Sequence, residues 1–428
     1  MKKALILTLV MLMVMSLSAF ATSTRTLTLG ENNNVLLDDN NIWMYPSRLF
    51  QYPNIATGEF AREAYGESLD NNFYNFGVNW KFGEKKPWVL GTYFSTGNDQ
   101  SPFLFEQDSP YGMPVPGFSY FSFFNEFGLS SPSPTPQNSV SSDRRMDLLY
   151  SRKFGTYLFG FGFNFIHASG KSEVTSNEAS ASYGNYGFTL GLTPEDGKWD
   201  VGINFSLGSF KNQDSAGHQY LKSDGYSDFN VYGRYFYKYN EMITLVPHAA
   251  VGFGSHGVKY DSTGIGFFDG RDLKTKRTFF EIGGGMNYRP VNGVLGVLDL
   301  GIEYDKVKDE FVRPDTTEEF SEFYFPYWKI GVEGDVFSWM TLRLGARSNW
   351  VNYKNIEPGS GTGNKYSEKY AENNTYLGLG LNFNRLHIDT YTDPGIILHG
   401  FDFITGNNGS ESSPNDLNFH VSVLYDMF

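Results

Sequence analysis

Between Trp199 and Phe210 every second residue is apolar: Trp199, Val201, Ile203, Phe205 and Leu207. Asp200, Gly202, Asn204, Ser206 and Gly208 stand between them. Neighbouring side chains of an extended strand point to opposite faces, so one face of this segment is greasy and the other wet. About ten residues tilted by about 45° cross a bilayer as a strand. A soluble sheet with one face on a core shows the same alternation, so recurrence has to decide. The pattern recurs near 54–66, 72–82, 88–96, 146–154, 157–168, 182–192, 199–210, 226–237, 243–255, 275–288, 295–306, 323–335, 340–353, 373–384, 386–403 and 417–428.

The connections between these segments alternate in length. Short ones carry turn chemistry: Gly83-Glu84-Lys85-Lys86-Pro87, Glu195-Asp196-Gly197-Lys198, Pro290-Val291-Asn292-Gly293 and Asn384-Arg385. Asp-Gly and Asn-Gly supply the positive φ angles of tight hairpins. The others are long: 97–145, 169–181, 211–225, 256–274, 307–322, 354–372 and 404–416. Short turns at one end and long loops at the other predict an all-β fold, a transmembrane up-and-down antiparallel β-barrel of about sixteen strands, with fourteen as the alternative. A propeller or solenoid requires self-similar repeats, and the chain shows none.

Composition fits that reading. Aromatic residues make up 17% of the 428, with 28 Tyr and 39 Phe, and Gly numbers 47. Rings toward lipid and small residues toward the lumen suit a barrel. After the N-terminus no apolar run reaches the ~20 residues of a spanning helix. Residues 1–21 have the form of a secretory leader: Lys2 and Lys3, an apolar stretch from Ala4 to Leu17, then Ala19-Phe20-Ala21. With no Cys in the chain, disulfides, lipidation at Cys and thiolate metal sites are excluded. The net charge is −13, and removal of Lys2 and Lys3 with an acid-free leader makes it −15, which argues against nucleic acid as a partner.

The expected layout is a leader over 1–21, a periplasmic or plug segment over 22–53 and a barrel over 54–428. The 22–53 segment lacks long alternation, so it reads as lying below the barrel or folded into its mouth. It contains Leu29-Gly30-Glu31-Asn32-Asn33 and, from Leu37 to Ile42, Leu-Asp-Asp-Asn-Asn-Ile. In these motifs it resembles a family of uncharacterised Gram-negative outer-membrane β-barrels, distantly similar to the FadL-type long-chain fatty-acid transporters. In the FadL-type group a short Asn-Pro-Ala segment packs inside the barrel; Tyr45-Pro46-Ser47 stands in its place here. The resemblance implies an outer-membrane address and, for the FadL-type relatives, passage of hydrophobic compounds.

Alternation also assigns the lumen face. Glu281 falls inward on 275–288, Asp299 and Glu303 on 295–306, Lys329 and Glu333 on 323–335, and Arg343 and Arg347 on 340–353. Counting residues from the turns sets Glu333 opposite Arg343, Lys329 near Arg347 and Glu281 near Glu303. An outward Arg or Lys at the bilayer midplane costs about 2–4 kcal/mol, so these charges face the lumen. They read either as opposed charge rows along a solute path or as wall-bracing ion pairs. Glu281, Asp299 and Glu303 pair like with like, a strain that a cation or a held proton relieves.

The 97–143 loop carries Phe103, Phe105, Phe118, Tyr120, Phe121, Phe123 and Phe124 among prolines. It is expected to form a constriction or lid at the mouth, or else to touch head groups and other loops. No Gly-x-Ser-x-Gly elbow or His-Glu-x-x-His motif occurs, so neither an enzyme, a metal site nor a cofactor is expected. The chain ends on Phe419, Val421, Val423, Tyr425 and a terminal Phe428. By resemblance to outer-membrane barrels, that ending implies recognition by the barrel-insertion machinery. The expected surroundings are outer-membrane lipid and lipopolysaccharide. The expected function is passage of small solutes, with a FadL-type hydrophobic route or a closed binding or structural barrel as alternatives.

Overall fold

The computed structural model describes residues 22–64, 70–97, 144–174, 177–213, 219–260, 273–311, 316–357, 364–392 and 419–427. The residues 1–21 read as a leader, the ringed loop from Phe103 to Phe124 and the C-terminal Phe428 lie outside them.

The chain forms one closed antiparallel barrel of sixteen strands. In order these are β1 (Ile55–Ala64), β2 (Asp70–Phe82), β3 (Trp88–Gly97), β4 (Arg144–Phe154), β5 (Tyr157–Val174) and β6 (Asn177–Pro194). β7 (Trp199–Gln213), β8 (Gln219–Tyr235, continued by Tyr237–Lys238), β9 (Ile243–Tyr260), β10 (Leu273–Tyr288) and β11 (Val294–Phe311) follow. β12 (Thr316–Phe337), β13 (Met340–Glu357), β14 (Asn364–Phe383), β15 (Leu386–Thr392) and β16 (Phe419–Asp426) complete the wall. Each strand pairs with its sequence neighbours, and β1 closes on β16 from Ile55↔Asp426 to Arg62↔Phe419. Closure removes the two sheet edges whose bare backbone groups hydrocarbon cannot satisfy.

The wall is inside-out relative to a soluble sheet. On β7, Val201, Ile203, Phe205 and Leu207 are exposed, whereas Asp200, Asn204 and Ser206 are buried. Leu190, Leu192, Ile282, Leu300, Ile330, Leu342 and Leu344 are likewise outward and exposed. An apolar surface that runs around the whole cylinder is stable only in an apolar solvent. Rings crowd the outside near the short turns. Phe82 stacks on Trp88 at 4.4 Å, Tyr157 meets Trp199 at 6.2 Å and Phe337 stacks on Trp339 at 5.6 Å. Such a belt marks a membrane–water boundary.

Short turns use residues suited to left-handed backbone: Gly293 has φ 78° and Asn384 φ 58°. β12 breaks alternation in its middle. Its pairing with β13 shifts between Tyr324 and Tyr327, and outward Phe325-Pro326 separates those two buried tyrosines. Pro, which has no N–H for a ladder, fits a bulge. Below it the count resumes, so Lys329 and Glu333 remain inward and are partnered with Arg347 and Arg343.

Candidate functional site: the plugged lumen

Thr22–Pro53 fills the short-turn half of the barrel. It opens on a six-residue helix, α1 (Ser23–Thr28), whose N-cap Thr22 accepts the Arg25 N–H at 3.2 Å. Two 3₁₀ turns follow at Asp39–Ile42 and Pro46–Gln51. Nearly every residue from Thr22 to Leu49 is buried, polar ones included.

The wall accommodates the plug by lacking side chains where the two meet. A Cβ on Gly331 would lie 2.5 Å from the Leu29 carbonyl oxygen, and one on Gly191 2.8 Å from Pro46 Cδ. Added methyls on Gly160, Gly345 and Gly378 would collide with Ser47, Gly30 and Thr28. These glycines stand on five different strands, so the plug touches wall backbone around much of the circumference. Gly30 has φ 77°, and a Cβ there would sit 2.5 Å from the Ile330 carbonyl oxygen.

Buried ion pairs hold it. Glu333 receives Arg25 of the plug through two bonds, Nε to Oε2 at 2.7 Å and Nη2 to Oε1 at 2.9 Å. Arg343 of the wall donates to the same carboxylate at 2.6 Å and to Asp389 at 2.5 Å. Arg347 donates to Glu31 of the plug at 2.9 Å, and the Tyr376 hydroxyl donates to the other Glu31 oxygen. At the far end Asp200 accepts Arg48 of the plug at 2.7 and 3.0 Å, Arg234 of the wall at 2.8 Å and Thr193 at 2.6 Å. Arg234 also donates to the carbonyls of Asn33, Asn34 and Leu36 at 2.9, 3.2 and 2.8 Å, which caps the turn. Charge-assisted, bidentate bonds are the strong members of their class.

The acid group on β10 and β11 also meets the plug. Glu281 faces Glu303 across the ladder. Its Oε1 accepts Asn34 of the plug at 3.0 Å and the Tyr327 hydroxyl at 2.7 Å. His248 lies 2.9 Å from Asp299 and 3.7 Å from Glu281. Lys329 lies over the Tyr327 ring at 5.3 Å. The sequence-derived set therefore falls into two groups, Glu333, Arg343 and Arg347 against the front of the plug and Glu281, Asp299, Glu303 and Lys329 on neighbouring strands, with Glu281 meeting Asn34. Sequence reasoning missed Arg25, Glu31, Arg48, Asp200, Arg234, His248 and Asp389.

The motif residues have physical duties in this arrangement. Leu29 is fully buried against Val35, Leu36, Phe236, Val246, Leu295 and Val297. Asp38 accepts Thr26 Oγ1 at 2.8 Å, and Asn41 closes a capping box with it. Asp38 and Asn41 fold the plug on itself, and Leu29 packs it against the wall.

No family model matches the chain, and no curated protein matches it. Solved structures similar to it include CdiB from Acinetobacter baumannii, with 9% identity, TM-score 0.38 and coverage of 87% of this chain and 60% of that one. The siderophore receptor PirA from Pseudomonas aeruginosa gives 8%, 0.30, 87% and 80%; outer-membrane expressed OmpT of Vibrio cholerae gives 11%, 0.32, 87% and 95%. The chain spans about 60% of the CdiB chain's length. Likeness at this level carries no argument about function. The strand ladder, the inverted polarity and the filled lumen define the class, a plugged membrane β-barrel.

Proposed function

We propose that this chain is an outer-membrane transport barrel that passes small solutes only when its own N-terminal plug rearranges. The observation that carries this reading is the nature of the plug's grip. The lumen is occupied by a short segment of the same chain, clamped by buried ion pairs as well as by apolar clusters. Polar contacts can be exchanged for water or for a polar solute, which an apolar core cannot. The polar walls favour a hydrophilic solute over the hydrophobic cargo of a FadL-type route. Outer-membrane lipid and lipopolysaccharide would surround the apolar belt, and the C-terminal strand would present the chain to the insertion machinery.

The test uses the absence of Cys. Thr24 Oγ1 and Ser422 Oγ lie 2.5 Å apart, one on the plug and one on β16. Cysteines at both positions have side chains close enough for a disulfide. Under oxidation the double variant should show no opening events in planar bilayers, and reductant should restore them. Equal conductance in both states would mean that the path does not need plug motion. No conductance in either state, or in the parent protein, would favour a closed binding or structural barrel.

A further inference from the structure

Toward the long loops, the wall from β10 to β14 sorts its charge by face. Strand alternation turns Lys274 and Lys276 on β10, Lys306 and Lys308 on β11, Lys354 on β13 and Lys369 on β14 away from the lumen. Among the described residues, the carboxylates on that outward face are Glu310 and Glu319. The lumen side of the same stretch holds the other acids, Asp305, Glu322, Glu368 and Glu372. A chain of net charge −13 thus wears a basic strip on its outside.

The strip begins where a second set of rings ends. Phe280 and Tyr304 lie 5.5 Å apart, Phe323 and Phe325 lie 6.0 Å apart, and Trp350 is outward and exposed. The ladder sets Phe280 opposite Tyr304 and Tyr304 opposite Phe323. Outward Tyr288 marks the short-turn level of β10. From Tyr288 to Phe280, at ~3.4 Å per residue and a tilt of ~40°, the strand rises about 21 Å, close to the ~25 Å apolar band of a barrel wall. Lys306 and Lys276 stand about 5–10 Å beyond those rings. That height is the headgroup layer on the long-loop side, the outer leaflet.

The strip is short of anions. Lys276 and Lys308 face each other directly across the ladder, a repulsive pairing. Both lean on one carboxylate, Glu310, at 3.1 and 3.0 Å. Lys306 takes Glu319 at 2.7 Å. On the outer-membrane reading above, we propose that this strip docks a phosphorylated glycolipid of the outer leaflet, the lipopolysaccharide, with its sugar phosphates on Lys276, Lys306 and Lys308 and its acyl chains along Phe280 and Tyr304. Lysine stems cover apolar surface while the ammonium reaches out as a point charge for phosphate. The strip crosses five strands, about 19 Å at ~4.8 Å per step, which suits a headgroup with several phosphates better than a single phosphodiester.

The experiment uses detergent-purified full-length protein in chelator, so that no divalent ion bridges phosphate to Glu310. The probe is bisphosphorylated lipid A, compared with the same lipid stripped of its phosphates and with phosphatidylglycerol. Bisphosphorylated lipid A should bind tightest, and its affinity should fall as salt rises. Lys276→Gln combined with Lys308→Gln should weaken it about tenfold, Arg at both positions should keep it, and Glu310→Gln should tighten it. The detergent-resistant folded band checks that each variant folds. Equal affinity for the phosphate-free lipid or for phosphatidylglycerol, or an affinity unchanged in the Gln pair, would overturn the assignment. Binding is read without conductance, so its loss leaves the gating reading standing. Failure of the outer-membrane reading would show separately, as absence of the protein from the outer-membrane fraction.

Discussion

The two ends of the plug are fastened by different means. At the rear, Pro46–Gln51 is locked by a carboxylate whose oxygens both accept guanidinium: Asp200 takes Arg48 and Arg234 together, with Thr193 added. Beside it Ile42, Leu49, Val89, Tyr93 and Leu149 form an apolar cluster, and Ser47 bonds Thr193 at 2.7 Å. At the front, Thr22–Asn41 relies on Arg25–Glu333 and Glu31–Arg347, and it leaves buried oxygens of Asn32, Asp38 and Asp39 unpartnered. Where every polar group is matched, motion costs the whole network; where several are not, motion can relieve a deficit. On the proposed gating reading, the front is the end that yields.

The sharpest way to break this comparison is Asp200→Asn. It leaves Arg48 and Arg234 buried without their carboxylate. Removing one partner of a buried ion pair typically costs about 3–5 kcal/mol. The temperature at which the folded, detergent-resistant band disappears should drop strongly, with plug and wall failing together. A small drop would mean that the rear is no firmer than the front.

Glu333→Gln probes the other end and should cost less, about 1.5–3 kcal/mol, the worth of hydrogen bonds to a charged group. Arg343 keeps Asp389 and Arg25 keeps Asp38 at 3.9 Å, so neither guanidinium is left without a carboxylate. The expected result is more frequent opening in planar bilayers while the barrel's melting temperature stays near that of the parent. Loss of the fold without added conductance would make Glu333 a wall brace and nothing more.

The wall half of this network was legible in the sequence, and the plug half was not. Strand alternation has a period of two, so the inward position of Glu333, Arg343 and Arg347 follows from counting, and turn positions fix the register. The same counting put Asp200 on the wet face of β7 without revealing its partners. Arg48 is 152 residues away and Arg25 is 308 residues from Glu333, and no local pattern joins them. What signal exists is compositional: Arg25 and Arg48 are isolated cations in a segment rich in Asn and Asp. The inward glycines were visible as small residues, but only the structure shows that plug backbone occupies the space they leave. The bulge at Phe325-Pro326 shifts the count by one between inward Tyr324 and inward Tyr327, and only the pairing with β13 locates that shift.

Acidity offers the smallest lever and the most selective one. Burial pushes the Asp39 carboxyl well above its ordinary value of 3.8, and Asp38, Glu59 and Asp389 add repulsion. The folded protein therefore holds a proton there more tightly than the unfolded chain does. Such a group contributes stability in full below its unfolded value and loses it as pH rises through the folded value. Lowering the pH from neutral should stabilise the front of the plug through this group, by at most about 1.4 kcal/mol per pH unit. Other carboxylates pull the opposite way, so the test is the difference between parent and Asp39→Asn across the same pH range. The parent should gain on acidification relative to the variant. A difference that is flat in pH would place Asp39 outside the balance that holds the front end, and the contrast between the two ends would then rest on the ion pairs alone.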